Sequence, residues 1–175
     1  MSNSENKRRE KLETRILSIE DCSLLDYELL EIILYSVCEK GESRKGKLKK
    51  LSIMDNMEKL IEYLKATIGQ FRKESLRVIY LDSGRRLAHE YIQNIGTVDR
   101  TPFYVREIVE RGLLVKATSA IVAHNHPSGD QEPSEEDEKN TIDLAAACEG
   151  VKIKLIDHII VTGKSHFSFY DNGLM

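Results

Sequence analysis

The chain of 175 residues contains few of the residues that mark several classes of protein. It has no tryptophan, three prolines, and three scattered cysteines that form no C-x-x-C pair. So small and odd a set of cysteines argues against a disulfide framework and predicts reduced thiols in a cytoplasmic protein. The N-terminus is polar and lacks the apolar core of a secretory signal, and no apolar run is long enough to span a bilayer. These absences predict a soluble, cytoplasmic protein without a membrane partner.

The charge balance argues against a general affinity for nucleic acid. The formal net charge is −3, and the chain is 41% hydrophobic and 31% charged, an ordinary globular composition. Lysine and arginine cluster locally in "EKGESRKGKLKK", residues 39–50. Two glycines within that stretch predict a flexible, solvated linker, and no motif of a nucleic-acid-binding module accompanies it. A DNA contact therefore stays open but is unsupported by the net charge.

The pattern of apolar residues divides the chain into a short N-terminal segment and one larger domain. Residues 23–38 show helical spacing, so residues 1–50 are predicted to form a short helical segment followed by the basic linker. Residues 51–175 alternate between helical and strand patterns, which predicts an α/β or α+β domain with a central sheet flanked by helices. The predicted elements are a helix within 54–69, a hairpin of strands at 75–82 and 85–98, a helix at 105–116, a strand at 119–126, a helix at 134–150 that Gly150 ends, and two strands within 151–170.

The stretch "HNHPSGDQEPSEED", residues 124–137, carries the strongest chemical signal. Side chains two apart in a strand face the same way, so His124 and His126 both point to one side of a strand end. Asp137 lies in the first turn of the following helix, where the helix dipole favours a carboxylate. Two imidazoles and one carboxylate, with a fourth position left for water, are the composition of a catalytic zinc site. These residues therefore predict one bound zinc ion.

Each part of this pattern also has a simpler explanation. Ser134 and Asp137 fit a helix capping box without any metal, and two strand histidines are often surface polar residues. A serine-nucleophile triad at Ser134 lacks a G-x-S-x-G elbow, and a deaminase-type zinc site lacks its P-C-x-x-C ligands. The joint occurrence of His124, His126 and Asp137 at a strand-to-helix junction favours the metal site over these alternatives.

The spacing His-x-His, seven residues, Ser, two residues, Asp is the JAMM signature of MPN-domain metalloenzymes. With "IGTVDRTPFYVREIV" before it and "LIDHIIV" after it, "HNHPSGD" resembles the bacterial RadC family over roughly residues 20–175. The resemblance implies an MPN/JAMM-type fold with a mixed central sheet, and a zinc ion on His124, His126 and Asp137. It also implies that the Ser134 hydroxyl helps to hold a tetrahedral intermediate. The implied activity is zinc-dependent hydrolysis of a peptide or isopeptide bond, with a peptide or protein as substrate.

JAMM enzymes also use an upstream glutamate that does not bind the metal. The resemblance places it at Glu90 in "RRLAHEYIQNIGTV", as the general base. A solvent-facing strand carboxylate is the alternative for an isolated glutamate. Asp130 is a candidate either for a residue that supports the ligands or for an ordinary turn residue. Structural or surface roles are predicted for His158, His166 and Asp157.

The sequence departs from the family in two places. Members commonly carry a longer N-terminal region with a helix-hairpin-helix-like element, and most of that element is missing around "LYSVCEKGESRKGK", so any DNA contact carried by it is in doubt. Val105 stands where a proline is usual, which predicts only an altered helix start. Two other functions stay open. One is a DNA-associated or protein-interaction scaffold that keeps the metal site without peptidase activity, and the other is a hydrolase of a non-peptide substrate.

Overall fold

The computed structural model describes residue 53, residues 56–93 and residues 103–175 of the chain. The N-terminal helix and the basic linker, predicted within residues 1–50, lie outside the described residues, so the boundary near residue 51 stays a prediction. No helix in the described ranges is long and apolar enough to cross a bilayer. The helices and strands of these ranges are α1 (Met57–Thr67), β1 (Leu76–Leu81), β2 (Leu87–Gln93), α2 (Val105–Leu114), β3 (Ser119–Asn125), α3 (Glu135–Gly150), β4 (Lys154–Val161) and β5 (His166–Ser168).

The five strands form one mixed sheet in the order β2-β1-β3-β4-β5. Strands β3 and β4 run parallel, and the other neighbouring pairs are antiparallel. A parallel pair needs a crossover connection, and α3 supplies it between β3 and β4. The element order agrees with the hydrophobic pattern, and the fold confirms the predicted α/β class with a central mixed sheet flanked by helices.

Side chains alternate between the two faces of the sheet along each strand, and each face packs against different helices. On one face, Leu76, Val78 and Tyr80 of β1 pack with α2 and α3 in the main hydrophobic core. On the other face, Arg77 of β1 donates a hydrogen bond to the hydroxyl of Tyr63 in α1. We name these the α3 face and the α1 face.

The helix ends follow the local sequence, with one difference from prediction. Ser134 caps α3 in a capping box, in which its side chain bonds the backbone N–H of Asp137 and the Asp137 carboxylate bonds the backbone N–H of Ser134. Helix α2 begins at Val105, so this valine occupies the first helical position. Helix α3 ends at Gly150 as predicted, but the prediction that Gly150 is the C′ residue just past the helix was wrong. Gly150 is the last helical residue, and the positive φ of 62° lies at Lys152, because the tight turn after the helix extends two residues further.

Candidate metal centre

The two histidines and the aspartate of the predicted site meet at the carboxyl end of β3. His124 lies one residue before the end of this strand and is buried, and His126 follows the strand directly. Asp137 comes from the first turn of α3. The Nε2 atoms of the two histidines are 2.9 Å apart, and carboxylate oxygens of Asp137 lie 3.2 Å from Nε2 of His124 and 3.5 Å from Nε2 of His126. The fold therefore brings all three predicted ligands together.

These separations fit a single metal ion. With metal–ligand bonds of about 2.1 Å and tetrahedral angles, neighbouring donor atoms lie about 3.4 Å apart. The 2.9 Å between the two Nε2 atoms and the 3.2 Å from Nε2 of His124 to Oδ1 of Asp137 are close to that value, and His126 faces the other carboxylate oxygen, Oδ2, at 3.5 Å. The donor atoms of the three residues also lie within 4.8 Å of one another. This donor set could hold a metal ion and leave a fourth position for water or substrate.

Burial and hydrogen bonds set the protonation of the three groups. Burial lowers the pKa of His124 to about 4, so its imidazole is neutral at neutral pH. Burial also lowers the pKa of His126, but hydrogen bonds to the Asp137 carboxylate and the Asp130 carbonyl outweigh it, and the net pKa is raised. Burial raises the pKa of Asp137, yet hydrogen bonds from His126 and Ser134 bring it well below its ordinary value. An ionised carboxylate and a neutral imidazole are the forms that bind metal.

Ser134 orients the carboxylate of Asp137. The Oδ2 atom of Asp137 accepts hydrogen bonds from the backbone N–H of Ser134 at 2.9 Å and from its hydroxyl at 2.6 Å. The Oδ1 atom is the one that faces His124. One carboxylate thus caps the helix and joins the histidines at the same time. The single hydroxyl proton of Ser134 is donated to Asp137 here, so its contact with a tetrahedral intermediate stays a prediction.

Asp130 supports His126 through its main chain. Its carbonyl oxygen lies 2.9 Å from Nδ1 of His126. A carbonyl can only accept, so Nδ1 carries the proton and Nε2 is left to bind metal. The Asp130 side chain accepts from the backbone N–H of Glu132 at 3.1 Å, which is an ordinary turn contact. Asp130 therefore has both predicted roles: its backbone carbonyl supports the ligand His126, and its carboxylate makes an ordinary turn contact.

Glu90 does not lie with these residues, and its assignment as general base needs correction. It pairs with Ile79 in the β1–β2 ladder, which puts its side chain on the α1 face, whereas His124 lies on the α3 face. There Glu90 forms a buried ion pair with Arg77 at 2.7 Å. It also accepts hydrogen bonds from the hydroxyl of Tyr63 at 2.8 and 2.9 Å. Because the sheet separates Glu90 from the histidines, its role in this structure is structural.

A different glutamate, Glu74, is close enough to His126 for its charge to raise the pKa of that histidine. Leu76 pairs with His124 in the antiparallel β1–β3 ladder. The same register, if continued by two residues beyond the ladder, would bring Glu74 opposite His126. Burial lowers the pKa of His126, and the charge of Glu74 is among the effects that raise it, which is a second indication that the two are close.

Asn125, the middle residue of "HNH", holds the segment that carries Glu74. Its side chain is fully buried, and its Oδ1 accepts from the backbone N–H of Ser75 at 2.8 Å. Its Nδ2 donates to the carbonyls of Phe71 and Lys73 at 3.2 and 3.1 Å. No motif surrounds Glu74, so the sequence alone did not predict it. The available signal was its place just before a buried strand.

His158 belongs to the site, which extends the structural or surface role predicted for it. It lies on β4, is buried, and places its Nε2 2.8 Å from Nδ1 of His124. Burial lowers the pKa of His158 well below its ordinary value. Asp157 accepts from the Ser168 hydroxyl at 2.7 Å and so has a structural contact. His166 lies on β5 and is partly exposed.

Comparison with known proteins agrees with the motif and the fold. Residues 54–174 match the family model RadC, described as a RadC-like JAB domain. The chain is also 33% identical over 158 residues to the UPF0758 protein PM1152 of Pasteurella multocida (strain Pm70), an alignment that covers 89% of this chain and 70% of that protein. The mixed sheet, its helices and the His–His–Asp group are consistent with a JAB/MPN domain. The chain therefore belongs to the RadC family, and its residues 54–174 are a RadC-like JAB domain.

Proposed function

We propose that this protein is a zinc-dependent hydrolase, a JAMM-type metallopeptidase that cleaves a peptide or isopeptide bond. The observation that carries the proposal is the convergence of His124, His126 and Asp137, with facing donor atoms 2.9 to 3.5 Å apart. Two imidazoles and a carboxylate suit zinc at a catalytic site. When bound, zinc would polarise a substrate carbonyl and make water more acidic. The choice of a peptide bond is supported by family membership, since the donor set argues only for metal-assisted hydrolysis.

Glu74 is the residue that we assign to proton transfer. It lies on the segment held by Asn125, opposite His126 in the continued β1–β3 register. A carboxylate in that place would take a proton from the attacking water and deliver it to the leaving amine. This assignment replaces Glu90, which lies on the opposite face of the sheet.

Ser134 has two tasks in the proposed reaction. Its backbone N–H holds the Asp137 carboxylate at 2.9 Å, and this contact does not depend on the side chain. Its hydroxyl is therefore able to turn away from Asp137 and donate to the oxygen that gains charge at the substrate carbonyl. Such a donor stabilises the transition state more than the ground state.

The metal site is tested by zinc titration of the purified full-length chain. We expect about one zinc ion per chain, because the donor set makes one site. His126→Ala and Asp137→Ala should each abolish tight binding. His166→Ala removes a histidine of β5 and serves as the matched control that keeps binding. Full zinc occupancy in both ligand variants would refute the site.

The hydrolytic function is tested with two matched glutamate variants. A screen of peptide and isopeptide substrates, with and without chelator, supplies the assay, and turnover is divided by bound zinc. Glu74→Gln removes the basic group and should lower turnover by about 10²-fold or more. Glu90→Gln makes the same chemical change on the other face of the sheet and should leave turnover per zinc close to that of the wild type. Equal turnover for wild type and Glu74→Gln would contradict the assignment. Bound zinc without hydrolysis in the wild type would favour the scaffold function.

A further inference from the structure

A buried chain of hydrogen bonds runs from His124 through β4 to the start of α3. Nδ1 of His124 lies 2.8 Å from Nε2 of His158. Nδ1 of His158 lies 2.6 Å from the hydroxyl of Thr141, and that hydroxyl donates to the backbone carbonyl of Asp137 at 2.6 Å. His124, His158 and Thr141 are exposed by only 2%, 1% and 2%, so water does not compete for these contacts.

The carbonyl of Asp137 determines the direction of each bond in this chain. A carbonyl only accepts, so Thr141 uses its one proton there and can only accept from His158. The proton of His158 is then on Nδ1, and its Nε2 is an acceptor. Nδ1 of His124 must therefore carry a proton. This leaves Nε2 of a neutral His124 with a lone pair that faces His126 and Asp137.

The reversed direction is less favourable because it exchanges the 2.6 Å Thr141–Asp137 bond for a longer one, 3.2 Å from Nε2 of His124 to the Asp137 carboxylate. With a proton on Nε2 of His124, His158 would donate from its own Nε2, and Thr141 would donate to Nδ1 of His158. The Thr141 hydroxyl and the Asp137 carbonyl would then face each other at 2.6 Å with no proton between them. A buried polar pair left in that state is destabilising.

We propose that His158 is a positioning residue of the metal centre. Anchored through Thr141 on the Asp137 carbonyl, it holds His124 in the tautomer that offers Nε2 to a metal ion. Asp137 then acts twice, since its carboxylate is a ligand and its carbonyl sets the tautomer of another ligand. This inference deepens the proposed function and rests on it, because a free Nε2 matters only if a metal takes the lone pair.

Two further observations support this role. The Asp130 carbonyl fixes the same tautomer in His126 by direct contact at 2.9 Å, so each histidine is set by a backbone carbonyl. The ring of His158 also contacts the edge-on ring of Phe103 and the stacked ring of Phe169, with centroids 5.3 and 4.5 Å away. This packing hinders rotation of the imidazole and keeps its two nitrogen atoms in line with their partners.

Nitrogen-15 NMR of the imidazoles in the metal-free, full-length protein tests the tautomers directly. In the wild type, His124 and His158 should both carry the proton on Nδ1. Thr141→Val removes the hydroxyl at nearly constant volume and should let both rings populate two tautomers. Thr141→Ser keeps the hydroxyl and should restore the single tautomer. A proton on Nε2 of His124 in the wild type would overturn the proposal.

Zinc affinity supplies a second readout. His158→Phe keeps an aromatic ring in contact with Phe103 and Phe169. It removes Nε2 of His158, the acceptor for Nδ1 of His124. It should weaken zinc binding about 10- to 100-fold, the usual effect of losing a group that orients a ligand. Thr141→Val should weaken it less, and Thr141→Ser and the control His166→Phe should stay close to the wild type. The melting temperature of each metal-free variant is measured alongside, so that lost affinity is separated from lost stability.

The outcomes distinguish this proposal from the metal site itself. A wild type without zinc affinity whose His124 has its proton on Nδ1 would refute the zinc function and support the hydrogen-bonded chain. A wild type that binds zinc no more tightly than His158→Phe would overturn the positioning role. If His158→Phe does not fold, the comparison of Thr141→Val with Thr141→Ser tests the proposal. The proposal would be overturned if these two variants had the same histidine tautomers and the same zinc affinity.

Discussion

Acidification of the metal-free protein should destabilise it through two buried neutral histidines, His124 and His158. Burial lowers the pKa of His124 from 6.5 to about 4, and that of His158 well below 6.5. Unfolding returns both imidazoles to water, where they titrate near their ordinary pKa. Between pH 6.5 and about 4 the unfolded chain therefore binds more protons than the folded chain. Stability contributed by these groups is fully present above pH 6.5 and is lost as the pH falls through that window.

The size of the effect follows from the pKa of His124. A fall from 6.5 to about 4 corresponds to about 3 kcal/mol at about 1.4 kcal/mol per unit of pKa. That is a large share of the roughly 5–15 kcal/mol that stabilises a typical domain. The raised pKa of His126 affects stability in a different pH range. Its contribution is present below pH 6.5 and is lost as the pH rises through the pKa of the folded protein. The lowered pKa of Asp137 gives stability that is lost only below pH 3.8.

Urea unfolding at a series of pH values, with a chelator present, measures the effect. His158→Phe removes one of the two groups. The slope of the free energy of unfolding against pH should then fall by about 1.4 kcal/mol per pH unit between about pH 4.5 and pH 6. His166→Phe removes a more exposed histidine, whose pKa burial also lowers, and should change the slope less. Equal slopes for the wild type and His158→Phe would refute the reasoning, because His158 would then not be held neutral in the folded protein.

Three further predictions concern the ligands, the buried ion pair and the N-terminal segment. Zinc affinity should weaken about tenfold per pH unit below the raised pKa of His126, because proton and metal compete for Nε2, and zinc titrations at several pH values check this. Glu90→Ala should destabilise the fold by about 3–5 kcal/mol, because it removes the carboxylate of a buried ion pair with Arg77, yet it should keep the zinc content of the folded protein. Urea unfolding and metal analysis would measure both. A chain shortened to residues 51–175 should fold and bind zinc like the full chain, because all assigned site residues follow position 73; aggregation or loss of zinc would contradict this.

The fold class and the three candidate ligands could be predicted because both depend on local patterns. His124 and His126 are two residues apart in a strand, which is the strand period. Asp137 is placed by the start of a helix, whose capping box with Ser134 spans four consecutive residues. None of these predictions depends on which strands are neighbours in the sheet.

His158 could not be placed in this way, because its role depends on pairing between distant parts of the chain. It reaches His124 across 34 residues, through the parallel alignment of β3 and β4. Its second partner, Thr141, lies on the crossover helix between the two strands. A histidine in an apolar strand has the same sequence pattern whether it supports a ligand or only fills the core, so the pattern alone does not separate the two roles.

Glu90 was assigned from the family resemblance, and the register of the β1–β2 hairpin shows why it does not lie with the histidines. The β1–β2 ladder shifts by one residue between Tyr80 and Leu81. If the register at Leu81 continued, Glu90 would pair with Val78 and lie on the α3 face. The shift pairs it with Ile79 instead and sends it to the α1 face. A slip of one residue moves every later side chain of the strand to the other face.

The β1–β3 ladder keeps one register from Leu76 to Leu81, all within the described residues. A continuation of that register would bring Glu74 toward His126, and Asn125 holds the segment before β1 through three hydrogen bonds. The shifted β1–β2 register puts Glu90 on the α1 face, whereas the β1–β3 register, if continued, would put Glu74 on the side of the histidines. Comparison of Glu74→Gln with Glu90→Gln therefore tests the register of the sheet together with the proposed proton transfer.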